Sequence, residues 1–205
     1  MKMNMLENVK RYGKYLPLLG IVWMTSCSDD DAPEEENLVE VFTDVTLIFT
    51  NDADNSTITA TATDPDGVGS QPLVVQDEIT LTSGATYTLT YDIKNALDPN
   101  DVEDIGAEIL DEDNEHQFFY GFTNGAFSSP EGDGNIDTAS DDINYEDQDE
   151  NGWNVGLRTS WTAGDPLTGG EFRTNLQHQP DVKTATTGSN DGDTDFDLTF
   201  VLNIE

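Results

Sequence analysis

The two histidines of this chain, His116 and His178, are the residues best suited to bind a transition metal. Apolar and polar residues alternate around each, which places His116 on the same strand face as Phe118 and His178 on the same face as Leu176. Two imidazoles brought together, with a carboxylate such as that of Glu115, can bind Zn²⁺ or Cu²⁺. The alternative is a pair of neutral, hydrogen-bonded histidines at the edge of the core.

Alternating acidic residues offer a second kind of site, for calcium. Asp147-x-Asp149-x-Asn151-Gly152 resembles the opening of a calcium loop, in which oxygens at alternate positions point at one ion and glycine permits the turn. An EF-hand needs Glu eleven residues after Asp147, where this chain has Arg158, so an EF-hand is excluded. The alternative is that Asp, Asn and Gly only form turns. The other acidic candidates are Asp191, Asp193 and Asp195, and the run Glu131-Gly132-Asp133-Gly134-Asn135.

The sequence contains none of the common catalytic motifs. It has no Gly-x-Ser-x-Gly, no His-Glu-x-x-His and no P-loop, and its single cysteine, Cys27, leaves no internal disulfide. Acidic residues are too numerous for a glycosidase pair to be chosen among them. We therefore expect a protein that is not an enzyme.

A few arginines and aromatic residues are weaker candidates for ligand contacts. Alternation turns Arg158 and Arg173 away from the core, where pairing with surface carboxylates is expected and stabilises little. Tyr120, Trp153 and Trp161 could stack on a sugar, but the two tryptophans share a strand face with apolar residues and are expected in the core.

The first 31 residues resemble a secretion signal followed by a lipid attachment site. Basic residues precede a short apolar run over 15–24, which is about half the length that a membrane-spanning helix needs. Small residues then lead to Cys27, the position of a lipidated cysteine. We expect a signal peptide over 1–26, an acidic tether over 27–37 and one domain over 38–205. The acidic tag directly after the cysteine is Ser28, Asp29, Asp30 and Asp31.

This tag resembles the export signal of Bacteroidetes-type lipoproteins, which implies a lipid-anchored protein on the outer face of the outer membrane. Runs at 115–120, 147–152, 176–180 and 192–195 add a resemblance to small lipoproteins of that type, often named "type 1 periplasmic binding fold superfamily protein". That name implies a two-lobed α/β protein, which the short, strand-rich chain does not match. The resemblance also implies an outer-membrane receptor as a partner in nutrient capture.

The charge of the chain excludes some partners. From Cys27 onward there are four basic side chains against 41 acidic ones, a formal charge of −37. Because nucleic-acid binding depends on cationic side chains that meet phosphates, nucleic acid is excluded as a partner. Direct contact with anionic lipid headgroups is disfavoured for the same reason. An acidic surface is compatible with cation binding and also with mere solubility.

The elements that must position these residues are mostly strands. Short alternating segments separated by Gly, Asp, Asn and Pro predict an all-β domain, an antiparallel β-sandwich of about eight strands with an Ig-like or jelly-roll-like topology. One short helix is expected near 102–112, where Val102, Ile105 and Ile109 recur at helical spacing. Order is doubtful over 124–142.

The sequence predicts a lipid-anchored surface protein that binds a ligand without catalysis. Metal-ion or nutrient capture beside an outer-membrane receptor is the expected function, with zinc, copper or calcium as the candidate ions. The alternative is a structural or adhesive surface protein whose loops are stabilised by calcium.

Overall fold

Two β-sheets form most of the regular structure in the computed structural model, which describes residues 40–67 and 72–205. The expected signal peptide, the tether, Cys27 and the tag Ser28, Asp29, Asp30 and Asp31 lie outside the described residues. Within the described residues no helix is long and apolar enough to cross a membrane.

The larger sheet has seven strands, numbered here in chain order. Their spatial order is β3 (Val74–Val75), β2 (Thr57–Thr63), β1 (Asp44–Asn51), β5 (Thr86–Asn95), β9 (Arg158–Ala163) and β8 (Phe127–Ser129), with β6 (Glu103–Asp104) beside one end of β5. All neighbours in this sheet are antiparallel.

The smaller sheet has four strands, and it carries the histidines. Their spatial order is β4 (Ile79–Leu81), β11 (Asp193–Ile204), β10 (Leu167–His178) and β7 (His116–Phe122). The pairs of β11 with β10 and of β10 with β7 are antiparallel, whereas β4 runs parallel to β11. The predicted all-β sandwich is confirmed, with this one parallel pair as an exception to the antiparallel pattern.

The core lies between the two sheets, as the alternation predicts. In β1 the residues Val45, Leu47 and Phe49 are fully buried, while their neighbours are only half-buried. The ring of Phe49 packs against the ring of Phe172, which belongs to the other sheet, in a T-shaped contact with 5.5 Å between ring centroids. Burying one such side chain contributes about 1.5–3 kcal/mol, so this interface is the main source of stability.

The one helix found in the described residues, α1 (Ile105–Asp111), lies where the sequence predicts it. The side chain of Asp104 caps it by accepting a hydrogen bond from the Ala107 N–H at 3.1 Å. Ile105 and Ile109, four residues apart, face the core. The helix is shorter than expected because Val102 is exposed and lies before the cap. Its end delivers the chain to β7 and His116.

Two segments differ from the sequence prediction. The expected strand over 153–161 begins only at Arg158, since 154–157 is held in a loop and Gly156 has a positive φ of 99°.

The segment 124–142 contains β8 and the buried Asn135, whose side chain accepts a hydrogen bond from the Tyr120 N–H at 2.9 Å. The sequence does not predict this order, because the segment is ordered by long-range backbone hydrogen bonds, such as those of the Asn135 and Ile136 N–H groups to the Tyr120 carbonyl oxygen, and not by an alternating apolar pattern.

Candidate metal site

The ends of three strands bring His116, His178 and Asp195 together. His116 and His178 are direct partners across β7 and β10, so the structure brings together the two histidines that the metal hypothesis needs close to each other. On the other side of β10, Leu176 pairs with Phe196 and Gln177 pairs with Thr194, which leaves Asp195 as an extra residue in a β-bulge. A bulge re-aims a side chain out of the regular alternation. The carboxylate of Asp195 thereby comes to lie beside the imidazole of His116.

His116 has two carboxylates next to its Nε2 atom. The Glu40 Oε1 atom lies 3.6 Å away and the Asp195 Oδ2 atom 3.8 Å away. The imidazole is fully buried, and the side chains of Glu40 and Asp195 are only 13 % and 14 % exposed. We call these three residues the acceptor cluster.

Each residue of the acceptor cluster contains a buried atom with no hydrogen-bond partner. These atoms are His116 Nε2, Glu40 Oε2 and Asp195 Oδ2. A buried polar atom without a partner costs about 1–3 kcal/mol, and such atoms are rare in folded proteins. Two of them, His116 Nε2 and Asp195 Oδ2, lie 3.8 Å apart, and the third belongs to the Glu40 carboxylate whose other oxygen, Oε1, lies 3.6 Å from Nε2. A positively charged group bound between these residues would give the partnerless atoms a partner.

The tautomer of His116 is fixed by its other nitrogen. Nδ1 lies 3.2 Å from the carbonyl oxygen of Glu112, and because a carbonyl only accepts, Nδ1 carries the proton. Burial lowers the pKa of His116 to about 4, so the ring is neutral at pH 7 and Nε2 presents a free lone pair. Metal-binding histidines have this arrangement, in which the second nitrogen donates to a backbone carbonyl.

The two carboxylates of the cluster are held in an unfavourable environment. Burial raises the pKa of Glu40 to about 7, with smaller contributions from Glu112 and Glu108. Burial raises the pKa of Asp195 to about 8, and the charges of Glu40 and Asp193 add to it. No lysine or arginine of the described residues forms an ion pair with either carboxylate. A bound cation would remove this penalty.

The spacing of the cluster fits a metal ion better than an organic ammonium group. Ligand atoms about 2.1 Å from a tetrahedral ion lie about 3.4 Å apart. Acceptors that surround an ammonium nitrogen at hydrogen-bond distance lie about 4.7 Å apart. The distances of 3.6 and 3.8 Å from Nε2 are close to the first value. The three ligand atoms all lie within 4.8 Å of one another.

His178 lies against His116 without sharing this arrangement. The two rings are nearly parallel, with 7° between planes and 4.6 Å between centroids. Because the lone pair of an imidazole lies in its ring plane, two stacked rings direct their lone pairs along separate planes and not at one ion. The His178 Nε2 atom faces Glu115 instead, at 3.5 Å. Glu112, His116 and His178 also form a close group, but there His116 Nδ1 already donates to the Glu112 carbonyl.

The predicted calcium residues Asp147 and Asp149 lie in a loop over 147–158, which we call the aspartate loop. The two carboxylate oxygens of Asp147 accept hydrogen bonds from the N–H groups of Gly156 at 2.8 Å and Arg158 at 2.9 Å. The Asp149 Oδ1 atom accepts from the N–H groups of Asn151 at 2.8 Å and Trp153 at 2.9 Å. These backbone contacts account for the alternation of acidic residues, and calcium binding at the loop stays a prediction.

The second oxygen of Asp149 is paired with a lysine that the sequence did not mark. Lys183 Nζ lies 3.2 Å from Asp149 Oδ2 as an ion pair rather than an aligned hydrogen bond, and both side chains are buried. The same ammonium donates to the Asp113 carbonyl oxygen at 2.5 Å. Burial lowers the pKa of Lys183, while Asp149 opposes that shift. The lysine therefore ties the aspartate loop to the end of the helical segment.

The remaining acidic candidates are dispersed over the loops. Asp191 Oδ2 accepts from the Gly188 N–H at 2.8 Å, and Asp193 pairs with His178 at the start of β11. Asn151 is exposed, and in the run 131–135 it is the amide side chain of Asn135 that is buried. Within residues 40–67 and 72–205, the close groups of three possible ligands are the two that contain His116.

The arginines and aromatic residues have structural positions. Arg158 pairs with Glu146 at 2.8 Å, and Arg173 pairs with Asp197 across β10 and β11, both at the surface. Trp161 and Tyr120 are fully buried, and the Tyr120 hydroxyl donates to a backbone carbonyl, so neither offers a stacking surface. Trp153 is half-buried.

Glu40 is the residue of the acceptor cluster that could not be predicted from the sequence. It lies four residues before β1 and is one of 42 acidic residues in the chain, so its type carries no signal. Asp195 was noted only as part of an acidic run. Residues 189–195 contain no apolar side chain, so the alternation that begins at Phe196 carries no signal of the bulge at Asp195.

Comparison with known proteins gives no relative for this chain: no family profile, no curated protein and no solved structure matches it. The resemblance to Bacteroidetes-type lipoproteins therefore stays a prediction, and the geometry of the site carries the functional argument.

Proposed function

We propose that this protein is a lipid-anchored surface protein that captures a divalent transition-metal ion at Glu40, His116 and Asp195. The observation that carries the proposal is the close group of one buried imidazole and two carboxylates, each of which contains a buried atom without a hydrogen-bond partner. An ion there would neutralise the two carboxylates and use the free lone pair of His116.

The cellular location is part of the same proposal. A lipid on Cys27 and the tag Ser28 to Asp31 would hold the domain on the outer face of the outer membrane. The strongly acidic chain would raise the local concentration of cations around the site. Transfer of the ion to an outer-membrane receptor is the step that such a location suggests.

One imidazole and two carboxylates form a ligand set of intermediate hardness. Imidazole suits zinc, copper, iron and nickel, and carboxylate oxygens are accepted by most divalent ions. At a site of this kind affinity follows the order Mn²⁺ < Fe²⁺ < Co²⁺ < Ni²⁺ < Cu²⁺ > Zn²⁺. We therefore expect Cu²⁺ and Zn²⁺ to bind more tightly than Mn²⁺, and Ca²⁺ to bind weakly. Binding rather than catalysis is proposed because the sequence contains no catalytic motif.

The test is thermal unfolding of the purified full-length chain after removal of metal by a chelator. Zn²⁺, Cu²⁺, Mn²⁺ and Ca²⁺ are added in turn, since a ligand at one hundred times its dissociation constant stabilises by about 2.7 kcal/mol. Glu40→Gln and Asp195→Asn keep the side-chain shape and remove the charge, and each should abolish the Zn²⁺ response. The matched controls are Glu112→Gln and His178→Asn, which should keep it.

The variants separate the competing sites. If Zn²⁺ stabilises the protein and only the controls lose the response, the ion belongs to Glu112, His116 and His178. A response to Ca²⁺ alone that is lost in Asp149→Ala would support the structural alternative with calcium-stabilised loops. No response to any of the four ions contradicts the proposed function.

A further inference from the structure

A cavity of about 380 Å³ adjoins the acceptor cluster. Glu40 and Asp195 belong to its lining, whereas His116 does not and lies fully buried behind them. An ion in the cluster would therefore be held from behind by His116, and its remaining side would face the cavity.

The protein provides too few ligands to enclose an ion. Closed structural zinc sites have four protein ligands, and sites with three keep a position for water or another molecule. Within the described part of the chain, no fourth Asp, Glu, His or Cys joins Glu40, His116 and Asp195 as a close group. At least one coordination position would therefore be filled from the cavity.

The cavity is larger than the ion and its waters require. A water molecule takes about 30 Å³, and cavities of about 300–1,000 Å³ are typical of small-molecule sites. Apolar side chains form part of the wall, and the rings of Phe42 and Phe196 meet edge to face with 5.4 Å between centroids. The other apolar lining residues are Pro72, Leu73 and Leu198.

The charges of the cavity restrict what can enter it. None of the described lining residues is a lysine or an arginine, and Asp64 adds a buried carboxylate. A ligand with free negative charge would be repelled by the protein, so its donor atoms can be held only through the metal.

From these features we infer that the cluster and the cavity form one compound site, which binds the metal together with a small organic chelator. The chelator would coordinate the ion through two oxygen atoms and place a compact apolar body against Phe42, Leu73 and Phe196. The inference rests on the proposed metal site and adds that the ion is captured as a chelate.

The test uses the full-length chain and benzohydroxamate, which joins two oxygen donors to a phenyl ring. Isothermal titration compares its binding to the Zn²⁺-loaded and the metal-free protein, and equilibrium dialysis measures zinc and hydroxamate retained together. We expect benzohydroxamate to bind at least ten-fold more tightly to the Zn²⁺-loaded protein, with one zinc and one hydroxamate retained per chain. Acetohydroxamate, which lacks the ring, should bind more weakly. Benzamide, which lacks the second oxygen donor, should not bind.

A variant in the cavity wall separates the two halves of the site. Leu73→Trp fills part of the cavity and leaves the three metal ligands unchanged, so it should keep Zn²⁺ binding and lose at least ten-fold in benzohydroxamate affinity. Phe42→Leu, which removes one ring, should have a smaller effect in the same direction and serves if the first variant folds poorly.

The outcomes distinguish this inference from the proposed function. Zn²⁺ binding without retention of hydroxamate, or removal of the zinc by hydroxamate, overturns the chelate site and leaves the metal site in place. Equal benzohydroxamate binding with and without Zn²⁺ also overturns it. Tight binding of benzylamine to the metal-free protein, lost on addition of Zn²⁺, would replace it with a site for organic cations. Absence of Zn²⁺ binding overturns both proposals.

Discussion

The acceptor cluster and the aspartate loop are both acidic, but only in the aspartate loop do other groups of the protein bind the buried carboxylates. In the aspartate loop, four backbone N–H groups and the ammonium of Lys183 are directed at Asp147 and Asp149. In the acceptor cluster, buried atoms of Glu40, His116 and Asp195 have no partner. Sequence patterns marked both the aspartate loop and the histidines as candidate ion sites, whereas the geometry favours the cluster that contains His116.

The difference shows that an acidic pattern is informative only together with its donors. Asp-x-Asp followed by glycine is typical of a calcium loop. It is equally typical of a turn whose Asp oxygens accept hydrogen bonds from nearby backbone N–H groups, because both need oxygens at alternate positions. What separates them is whether backbone N–H groups already occupy those oxygens. An ion in the aspartate loop would have to displace these N–H groups, while an ion in the cluster would displace no hydrogen-bond donor of the protein and only the protons that Glu40 and Asp195 hold near neutral pH.

The largest expected loss of stability comes from removing the ammonium group of Lys183, which pairs with the aspartate loop. Lys183→Met leaves the buried carboxylate of Asp149 without a charge partner, and breaking a buried pair in this way costs about 3–5 kcal/mol. Urea unfolding measures the loss of stability. Arg173→Met is the matched control, because it breaks a surface pair with Asp197 and should cost about 0–1 kcal/mol. Equal losses in both variants would show that the Lys183 pair is not a buried support.

The same kind of substitution should have opposite effects in the two regions. In the metal-free protein at pH 8, Asp195→Asn removes a buried charge without a partner and should stabilise by about 1–3 kcal/mol. Asp149→Asn deprives Lys183 of its counter-charge and should destabilise by about 3–5 kcal/mol. Urea unfolding of both variants checks the sign. A loss of stability in both would remove the contrast between the regions.

The pH dependence of stability should reveal the unsatisfied carboxylates directly. Glu40 and Asp195 have folded pKa values of about 7 and about 8, so the folded state holds their protons where the unfolded state has lost them. The unfolding free energy of the metal-free protein should therefore fall by about 2 kcal/mol between pH 6.5 and 8. His116 acts in the opposite sense mainly below pH 6.5, because burial lowers its pKa to about 4 while the unfolded ring titrates near its ordinary value of 6.5.

The control for this pH dependence is the double variant Glu40→Gln with Asp195→Asn. It lacks both titrating groups, so its stability should be nearly constant between pH 6.5 and 8. Saturating Zn²⁺ should also remove the fall in the unaltered protein, since bound carboxylates stay ionised. A fall of the same size in the double variant would assign the effect to other groups.

The fold could be predicted from the sequence further than the site could. Alternation depends on neighbours along the chain, so it gave the strand Thr57–Thr63 and the core positions of Val45, Leu47 and Phe49. Alternation placed each histidine on the apolar face of its strand, but neither the pairing of β7 with β10 nor the stacking of the two rings could be predicted from the sequence. Glu40 and Asp195 approach His116 only through tertiary contacts and a bulge, and Lys183 reaches Asp149 across 34 residues of chain. Such long-range contacts leave no local pattern.

The smallest expected effect is the response of the aspartate loop to calcium. In the double variant Glu40→Gln with Asp195→Asn, the acceptor cluster cannot contribute, so any Ca²⁺ response belongs to other acidic residues. A site saturated at one hundred times its dissociation constant would stabilise by about 2.7 kcal/mol, which is a rise of about 5–10 °C in Tm for a domain of this size. Because backbone N–H groups already occupy Asp147 Oδ1 and Oδ2 and Asp149 Oδ1, we expect a change below about 1 °C at millimolar Ca²⁺. A rise of several degrees that disappears in Asp147→Asn would show that calcium displaces those groups, and the two acidic regions would then both be ion sites.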